Sequence, residues 1–272
     1  MDMLGVMNRK MVKMMFYDAF DAYLAHAFPS DELMPLSCRG TPANVKEHGQ
    51  DGLYMGNWSR TLVDSLDMLY ILGDWAEFEH AVHLAARSVM DAVKRDTDSD
   101  TAMTISLFET SIRVLGGLLS SHIIAANNTA RFNPKAPYKG ELLDAAEAVA
   151  QRLMPAFETP TGIPCISVSR NGTWNCVLNT TTVADAGSLL LEWHTLSRLT
   201  GKPIYSACAK RAMTALSLVR SPLGILSERI SWSNLSTLFA LQLLVLHHLF
   251  NCSCFLSPCL FEQWTWNSWT WH

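Results

Sequence analysis

The sequence is poor in charge and holds no cluster of basic residues. Only 17% of its 272 residues are Asp, Glu, Lys or Arg, and its formal net charge is −4. Binding to nucleic-acid phosphates needs clustered Lys and Arg side chains. We therefore expect no nucleic-acid partner.

Long apolar runs and paired metal-binding cysteines are also lacking. The most apolar stretch, residues 235–250, is interrupted by Ser236, Gln242 and His247 among others. It falls short of the roughly 18–20 residues that a membrane-spanning helix needs. None of the seven cysteines belongs to a Cys-x-x-Cys pair, which argues against a zinc site. We predict neither a membrane span nor a zinc site.

No secretion signal is evident, although other features favour the secretory pathway. The first 20 residues are rich in Met and interrupted by charge, whereas a signal peptide has a continuous apolar centre and a cleavage site. Six Asn-x-Ser/Thr sequons point the other way, because such triplets are acceptors for N-glycans. The sequons begin at Asn57, Asn127, Asn171, Asn179, Asn234 and Asn251.

The residues that are present favour an all-α fold. Apolar residues make up 49% of the chain, enough for a large core, and no run alternates convincingly as a strand. Residues 154–181 are expected to be loop or short strands. Successive helix pairs joined by unequal loops favour an αα-barrel over a regular repeat. The predicted helices are residues 8–28, 58–72, 75–94, 104–126, 140–153, 182–199 and 203–220.

One predicted helix contains the strongest candidate for an active site. Between residues 106 and 120 its surface is apolar except for a wedge holding Glu109 and Arg113, which can meet because they are four residues apart. Gly116 and Gly117 are poor helix formers and are predicted to leave open space beside the carboxylate, as a general acid requires. From the pattern alone, a Glu109–Arg113 pair on a narrow solvent-exposed face is an equal alternative.

Six sequence blocks are informative when taken together. Among them are FPSDELMPLSC at residues 28–38, TLVDSLDML at 61–69 and LEWHTLSRLTG at 191–201. The others are residues 15–23, 106–120 and 153–164. In this order, and over roughly residues 10–226, they resemble the class I α-1,2-mannosidases of glycoside hydrolase family 47, and in particular their ER degradation-enhancing branch.

The resemblance implies a fold, an activity and a location. The family fold is an (αα)7 barrel with the sugar site at one end and a calcium ion at its floor. Members remove α-1,2-linked mannose from N-glycans with inversion. The degradation-enhancing branch marks misfolded glycoproteins of the endoplasmic reticulum (ER) for disposal. High-mannose N-glycans on such glycoproteins, an ER location and a Ca²⁺ cofactor are therefore the expectations.

Inverting glycosidases need a carboxylic acid and a carboxylate base roughly 6.5–9.5 Å apart. The resemblance implies that Glu109 is the acid, that Arg113 lies beside it, and that Asp64, Asp67 and Glu192 line the sugar pocket. Two alternatives stay open. Asp64 is equally compatible with a surface pair with Arg60. Glu192, on one predicted helix face with Asp185, is equally compatible with a solvated position.

The sequence also departs from the family. After Leu226 it contains no Gly-x-Asp-Ser-Tyr-x-Glu-Tyr block, so the catalytic base and the C-terminal Thr that ligates calcium have no counterpart. Residues 227–272 carry three charged groups and five tryptophans. We therefore expect residues 1–226 to form about half of the barrel, and 227–272 to be a divergent tail outside the family fold.

This truncation leaves the assignment as an enzyme open. The first expectation is a mannosidase or mannosidase-like protein of ER quality control that is inactive as this truncated chain. The alternatives are a non-catalytic glycan- or client-binding module of ER-associated degradation, and a helical fragment without function. Cys38 matches a cysteine frequent in the branch and is expected to be a free thiol.

Overall fold

The structure is a computed structural model that describes residues 3–42, 53–95, 103–220, 224–227 and 229–233. The predicted tail beyond residue 233, with the sequons at Asn234 and Asn251, lies outside these residues. Helices dominate the described part, which confirms the all-α prediction. They are α1 (Met3–His26), α2 (Arg60–Ile71), α3 (Trp75–Arg95), α4 (Leu107–Glu109), a π-helical turn (Thr110–Leu115), α5 (Gly116–Asn127), α6 (Glu141–Leu153), α7 (Val183–Gly187), α8 (Leu190–Thr200) and α9 (Pro203–Leu218), with 3₁₀ turns at Thr129–Arg131 and Met154–Phe157.

The core lies between helices that pack in pairs. α2 packs on α3 and α5, α3 and α5 both pack on α6, and α8 packs on α9. In α3, Phe78, Val82 and Val89 are fully buried, and their spacing places them on one face of the helix. Burial of each such side chain contributes about 1.5–3 kcal/mol. These contacts fix the helices that carry the candidate site.

α1 is buried only towards its C-terminal end. Phe20 and Tyr23 are 2% and 1% exposed, whereas Met7, Met11 and Met15 are all more than half exposed. The Tyr23 hydroxyl donates to the Ser30 carbonyl oxygen at 2.7 Å. This bond fixes the chain just after the end of α1.

The described residues form three short antiparallel ribbons, one a local hairpin and two that join segments far apart in sequence. They pair β1 (Leu33–Met34) with β2 (Arg39–Gly40), β3 (Thr104–Ser106) with β4 (Ser167–Ser169), and β5 (Thr180–Thr182) with β6 (Arg229–Ser231). Residues 154–181 thus contain short strands, as predicted. Residues 104–106 were expected to be helical; instead Ser106 ends β3 and caps α4, its Oγ accepting from the Glu109 backbone N–H at 3.2 Å. The boundary at residue 226 stays a prediction, although Ile230 and Trp232 are buried.

The prediction of one continuous helix over residues 182–199 is wrong. The structure has two helices there, α7 and α8. Ser188 lies at the break, and its Oγ donates to the Ala184 carbonyl oxygen at 2.7 Å. Such back-bonding competes with the helical hydrogen-bond pattern, and the neighbouring Gly187 is a weak helix former. Asp185 and Glu192 therefore lie on two different helices. Asp185 instead forms reciprocal bonds with Thr182 at the start of α7.

One disulfide bond joins Cys165 and Cys176. Cys38 is a free, exposed thiol as predicted, and Cys208 is a free, buried one. The disulfide closes a loop of residues 165–176 that contains β4. The cysteine spacing did not predict this pair.

Candidate active site

The site lies where α2 crosses α5, and Gly117 allows that crossing. A Cβ atom on Gly117 would lie 2.8 Å from Val63 Cγ1 and 2.9 Å from the Val63 carbonyl oxygen. The prediction of open space beside the carboxylate is therefore wrong for this glycine. Gly116 does not border a gap either, because its Cβ would lie 3.6 Å from Glu192 Cγ. The two glycines bring α2 and α8 against the helix that follows Glu109.

A π-helical turn, Thr110–Leu115, follows Glu109 directly. A π turn accommodates one extra residue, and such turns occur frequently at functional sites. Ser111 lies on its buried side, where its Oγ accepts a hydrogen bond from Trp193 Nε1 at 3.1 Å. This bond fixes α8 against the turn. The side chains after Glu109 consequently do not follow the 100° spacing assumed from the sequence.

Glu109 and Arg113 form the predicted contact. Arg113 Nε donates to Glu109 Oε2 at 2.7 Å, and the two side chains are 17% and 45% exposed. The hydrogen bond to Glu109 raises the pKa of the Arg113 guanidinium, against the lowering effect of its partial burial. The carboxylate is thus largely enclosed, while the guanidinium reaches solvent. The predicted contact is confirmed, and the role of Glu109 as a general acid stays a prediction.

Asp64 extends this pair across the helix crossing. Its Oδ2 lies 3.7 Å from Arg113 Nη1. Burial raises the pKa of Asp64, and the charge of Arg113 opposes the rise. The alternative of a surface pair with Arg60 is not supported, because Arg60 is only 4% exposed and its Nη2 donates to Glu32 Oε1 at 2.9 Å. Asp64 therefore belongs to the network of Glu109 and Arg113.

Asp67, one turn further along α2, contacts α5. Its Oδ2 accepts a hydrogen bond from Ser120 Oγ at 3.2 Å. Asp64 and Asp67 both lie on the side of α2 that faces the helix carrying Arg113 and Ser120. The sequence predicted that they share a helix face with Arg60, and all three residues belong to α2, where Arg60 is buried.

Glu192 approaches from α8 and is not a solvated helix residue. Its Oε2 is buried and has no hydrogen-bond partner among the described residues. Burial raises the pKa of Glu192. Buried polar atoms are rarely left without a partner. Glu192 thus packs against Gly116 with its Oε2 buried and unpaired among the described residues.

Asp31 positions α2 and was not predicted as a functional residue. Its carboxylate accepts the backbone N–H groups of Asn57, Trp58 and Arg60 at 2.5, 2.6 and 3.1 Å. Ser59, at the N-cap, is left-handed and forms no side-chain cap. Burial raises the pKa of Asp31, while these hydrogen bonds and Arg60 oppose the rise. No local capping pattern reveals this role, because Asp31 lies in a preceding loop.

The described residues show neither a metal-ion site nor a membrane-spanning helix. In the described ranges, no group of three or more His, Cys, Asp or Glu side chains is placed to hold a metal ion. The calcium implied by the resemblance has no ligand set there. In the same part of the chain, no helix is long and apolar enough to cross a membrane.

Glu109 and Asp64 contact one guanidinium, and Glu192 packs against Gly116 from a third helix. Glycoside hydrolases use such Asp and Glu carboxyl groups in pairs. The sequence model of glycosyl hydrolase family 47 matches residues 15–238. The chain belongs to this family.

Two curated relatives agree with this assignment. Alpha-mannosidase I MNS4 of Arabidopsis thaliana is 40% identical over 224 residues, which are 82% of this chain and 33% of the relative. The human ER degradation-enhancing alpha-mannosidase-like protein 2 is 39% identical over 223 residues, 82% of this chain and 35% of the relative. The chain thus spans about a third of the length of these relatives.

A solved structure is similar as well. The alpha-1,2-mannosidase from Trichoderma reesei matches with a TM-score of 0.66 and 30% identity, over 83% of this chain and 44% of that one. This match confirms the predicted partial (αα)7 barrel.

Proposed function

We propose that this site binds α-1,2-linked mannose of N-glycans and supplies the acid for its removal, in the quality control of ER glycoproteins. The proposal rests on one observation: Arg113 fixes the orientation of the Glu109 carboxylate. Arg113 fixes Oε2 at 2.7 Å, and Oε1 has no hydrogen-bond partner among the described residues. A proton on Oε1 would face the oxygen of the departing sugar while Arg113 holds the group in orientation.

The other carboxylates bind the sugar in this proposal. Asp64 and Asp67 sit beside Arg113 and Ser120, and Glu192 has a buried oxygen without a partner. Carboxylate oxygens accept hydrogen bonds from sugar hydroxyl groups, and bonds to a charged group contribute about 1.5–3 kcal/mol each. Mannose bound between α2, the π turn and α8 would lie beside the carboxylates of Glu109, Asp64 and Asp67.

Removal of mannose with inversion also needs a base. The resemblance implies a base in a block that has no counterpart in these 272 residues. We therefore expect this chain to bind high-mannose glycans and to release little mannose. The same carboxylates support a second candidate, a non-catalytic glycan- or client-binding module of ER-associated degradation.

An ER location has two supports. The human relative is named as an ER degradation-enhancing protein. In addition, the Cys165–Cys176 disulfide is typical of proteins in oxidising compartments such as the ER lumen.

The test is a titration of the purified chain with a high-mannose oligosaccharide, with free mannose measured in the same samples. Calcium is included because membership of the family is consistent with a calcium requirement. Arg113→Ala and Asp64→Asn should each weaken binding roughly ten- to hundred-fold. Asp91→Asn, which alters an exposed carboxylate of α3, is the control and should bind normally.

The outcomes separate the candidates. Mannose release that Glu109→Gln removes supports the catalytic function. Binding without release supports the binding module. If the chain does not bind the oligosaccharide at all, both candidates are wrong.

A further inference from the structure

The sequons are a feature that the proposed active site does not explain. Four of them, beginning at Asn57, Asn127, Asn171 and Asn179, lie among the described residues. An N-glycan is attached to the side-chain nitrogen of the asparagine, and the hydroxyl residue two positions later takes part in recognition. The four sequons differ in whether these two side chains are brought together.

At Asn171 they are already in contact. Asn171 Oδ1 accepts hydrogen bonds from the Thr173 backbone N–H at 3.0 Å and from Thr173 Oγ1 at 2.8 Å. Asn171 Nδ2, the atom that would be modified, makes no hydrogen bond among the described residues. Among the four described sequons, the one at Asn171 shows this direct bond between the asparagine amide and the hydroxyl group two residues later. The turn forms between residues two positions apart, so it requires no distant partner.

At Asn57 the hydroxyl is committed elsewhere. Ser59 Oγ donates to the Pro29 carbonyl oxygen at 2.9 Å and lies 2.6 Å from Ser88 Oγ. Ser59 and the intervening Trp58 are 1% and 0% exposed. This sequon is built into the start of α2 by contacts from distant parts of the chain, and no local turn pairs its amide with its hydroxyl.

The surroundings of Asn171 leave room for a large substituent. Thr173 is exposed, and Trp174 is 50% exposed. The disulfide between Cys165 and Cys176 encloses the turn, and Arg152 Nη1 donates to the Asn171 carbonyl oxygen. The backbone of the turn is thus fixed while the Asn171 side-chain nitrogen stays free.

The turn also lies away from the candidate active site. In the β3–β4 ribbon, Ser169 pairs with Thr104, and Ser106 pairs with Ser167. Asn171 follows Ser169 beyond one end of the ribbon, whereas Glu109 follows Ser106 beyond the other. A glycan on Asn171 would leave the site between α2, the π turn and α8 open.

We propose that Asn171 carries an N-linked oligosaccharide, and carries it in preference to Asn57. Asn171 Nδ2 would form a bond to the anomeric carbon of an oligosaccharide held on a lipid diphosphate. The bond from that carbon to the diphosphate oxygen breaks, and the lipid diphosphate leaves with the electron pair. Nδ2 passes one proton to a base of the transferase. The inference rests on the ER location in the proposed function and not on mannose binding.

The test uses the full chain, fused behind a cleavable secretion signal and produced in eukaryotic cells. Enzymatic removal of N-glycans in heavy-oxygen water converts each modified Asn to a mass-labelled Asp, which peptide mass spectrometry locates. We expect label at Asn171 at several-fold higher occupancy than at Asn57. Asn171→Gln and Thr173→Ala should remove the same single glycan, and Thr173→Ser should retain it.

An unlabelled Asn171 peptide would overturn the proposal, and so would equal occupancy of Asn57 and Asn171. Thr173→Ala leaves Asn171 in place, so the loss of its glycan is not a consequence of changing Asn171 itself. The secretion signal supplies ER entry, and the readout does not involve mannose release. A negative result is therefore distinguishable from a failure of the proposed glycan-processing function.

Discussion

Gly117 on α5 lies so close to Val63 on α2 that a Cβ atom at this position would come within 2.9 Å of the Val63 carbonyl oxygen. The same crossing places Asp67 Oδ2 3.2 Å from Ser120 Oγ. A glycine inside a helix costs about 1 kcal/mol relative to alanine. The helix tolerates this loss because only a residue without a side chain allows the α2 carboxylates to approach α5 and the turn that carries Arg113.

Alanine substitutions at Gly117 and Gly116 should differ in their effect on stability. Gly117→Ala should lower the free energy of unfolding by about 1–3 kcal/mol, the usual effect of overpacking, and should weaken glycan binding. Gly116→Ala is the matched control: its Cβ would meet Glu192 Cγ at an ordinary 3.6 Å, so the higher helix propensity of alanine should leave stability equal or raised by up to about 1 kcal/mol. Urea unfolding measures both changes. Equal losses for the two variants would show that the crossing is not the constraint.

Glu192 should make stability depend on pH. Burial raises the pKa of Glu192 in the folded protein, so between its unfolded and folded pKa the folded state binds more protons than the unfolded one. The favourable contribution is therefore fully present below the unfolded pKa, about 4.3, and is lost as pH rises through the folded pKa.

The variant Glu192→Gln should remove this loss. We expect a higher melting temperature than that of the unmodified chain at pH 7, and a difference that shrinks as the pH approaches 4. Asp91→Asn, an exposed site on α3, controls for the removal of one charge. A Glu192→Gln variant that melts at a lower temperature at pH 7 would contradict the assignment of an unpartnered, buried carboxylate.

Asp31→Asn should destabilise the start of α2. The asparagine amide presents one acceptor oxygen and an NH₂ group to the three N–H groups that Asp31 now accepts. At least one buried donor loses its partner, which costs about 1–3 kcal/mol. Chemical unfolding measures the loss, with the exposed Asp18→Asn on α1 as a control expected to stay within about 0.5 kcal/mol. Equal effects of the two variants would argue against Asp31 as the cap.

The Cys165–Cys176 disulfide should contribute to stability. It joins residues 11 apart in sequence, and closing a loop of this size contributes about 3 kcal/mol in the chain-entropy model. The double variant Cys165→Ala/Cys176→Ala should lose that amount in urea unfolding, whereas Cys38→Ala, at an exposed free thiol, should change little. Reductant should lower the stability of the unmodified chain more than that of the double variant. An equal response of the two would indicate that this bond does not stabilise the fold.

Local patterns were sufficient to predict the helices and one contact of the site. Apolar spacing located α2, α3 and α6 to within a few residues, because their buried faces repeat at helical period. Glu109 and Arg113 were predictable as a pair, because side chains four residues apart are neighbours on the surface of a helix. The resemblance added the expected roles of Asp64, Asp67 and Glu192, and these roles stay predictions.

Features that depend on distant neighbours could not be predicted. The requirement for glycine at position 117 becomes evident only when Val63 is known to pack against it. The α2 cap comes from Asp31, 29 residues before Arg60. The π turn after Glu109 is accompanied by the hydrogen bond from Trp193, 82 residues from Ser111. A single-sequence pattern carries no signal for such contacts.

The β3–β4 ribbon also sets an order of events during synthesis. β3 precedes the acid-bearing helix, but its partner β4 (Ser167–Ser169) emerges about 60 residues later, roughly 3–12 s at a translation rate of about 5–20 residues per second. α2 and α3 leave the ribosome before either strand. The Asp64 and Asp67 side of the site therefore becomes available first, and Glu109 acquires its fixed starting point only when β4 arrives. Protease digestion of ribosome-bound chains in which residue 169 lies inside or outside the exit tunnel would time this step.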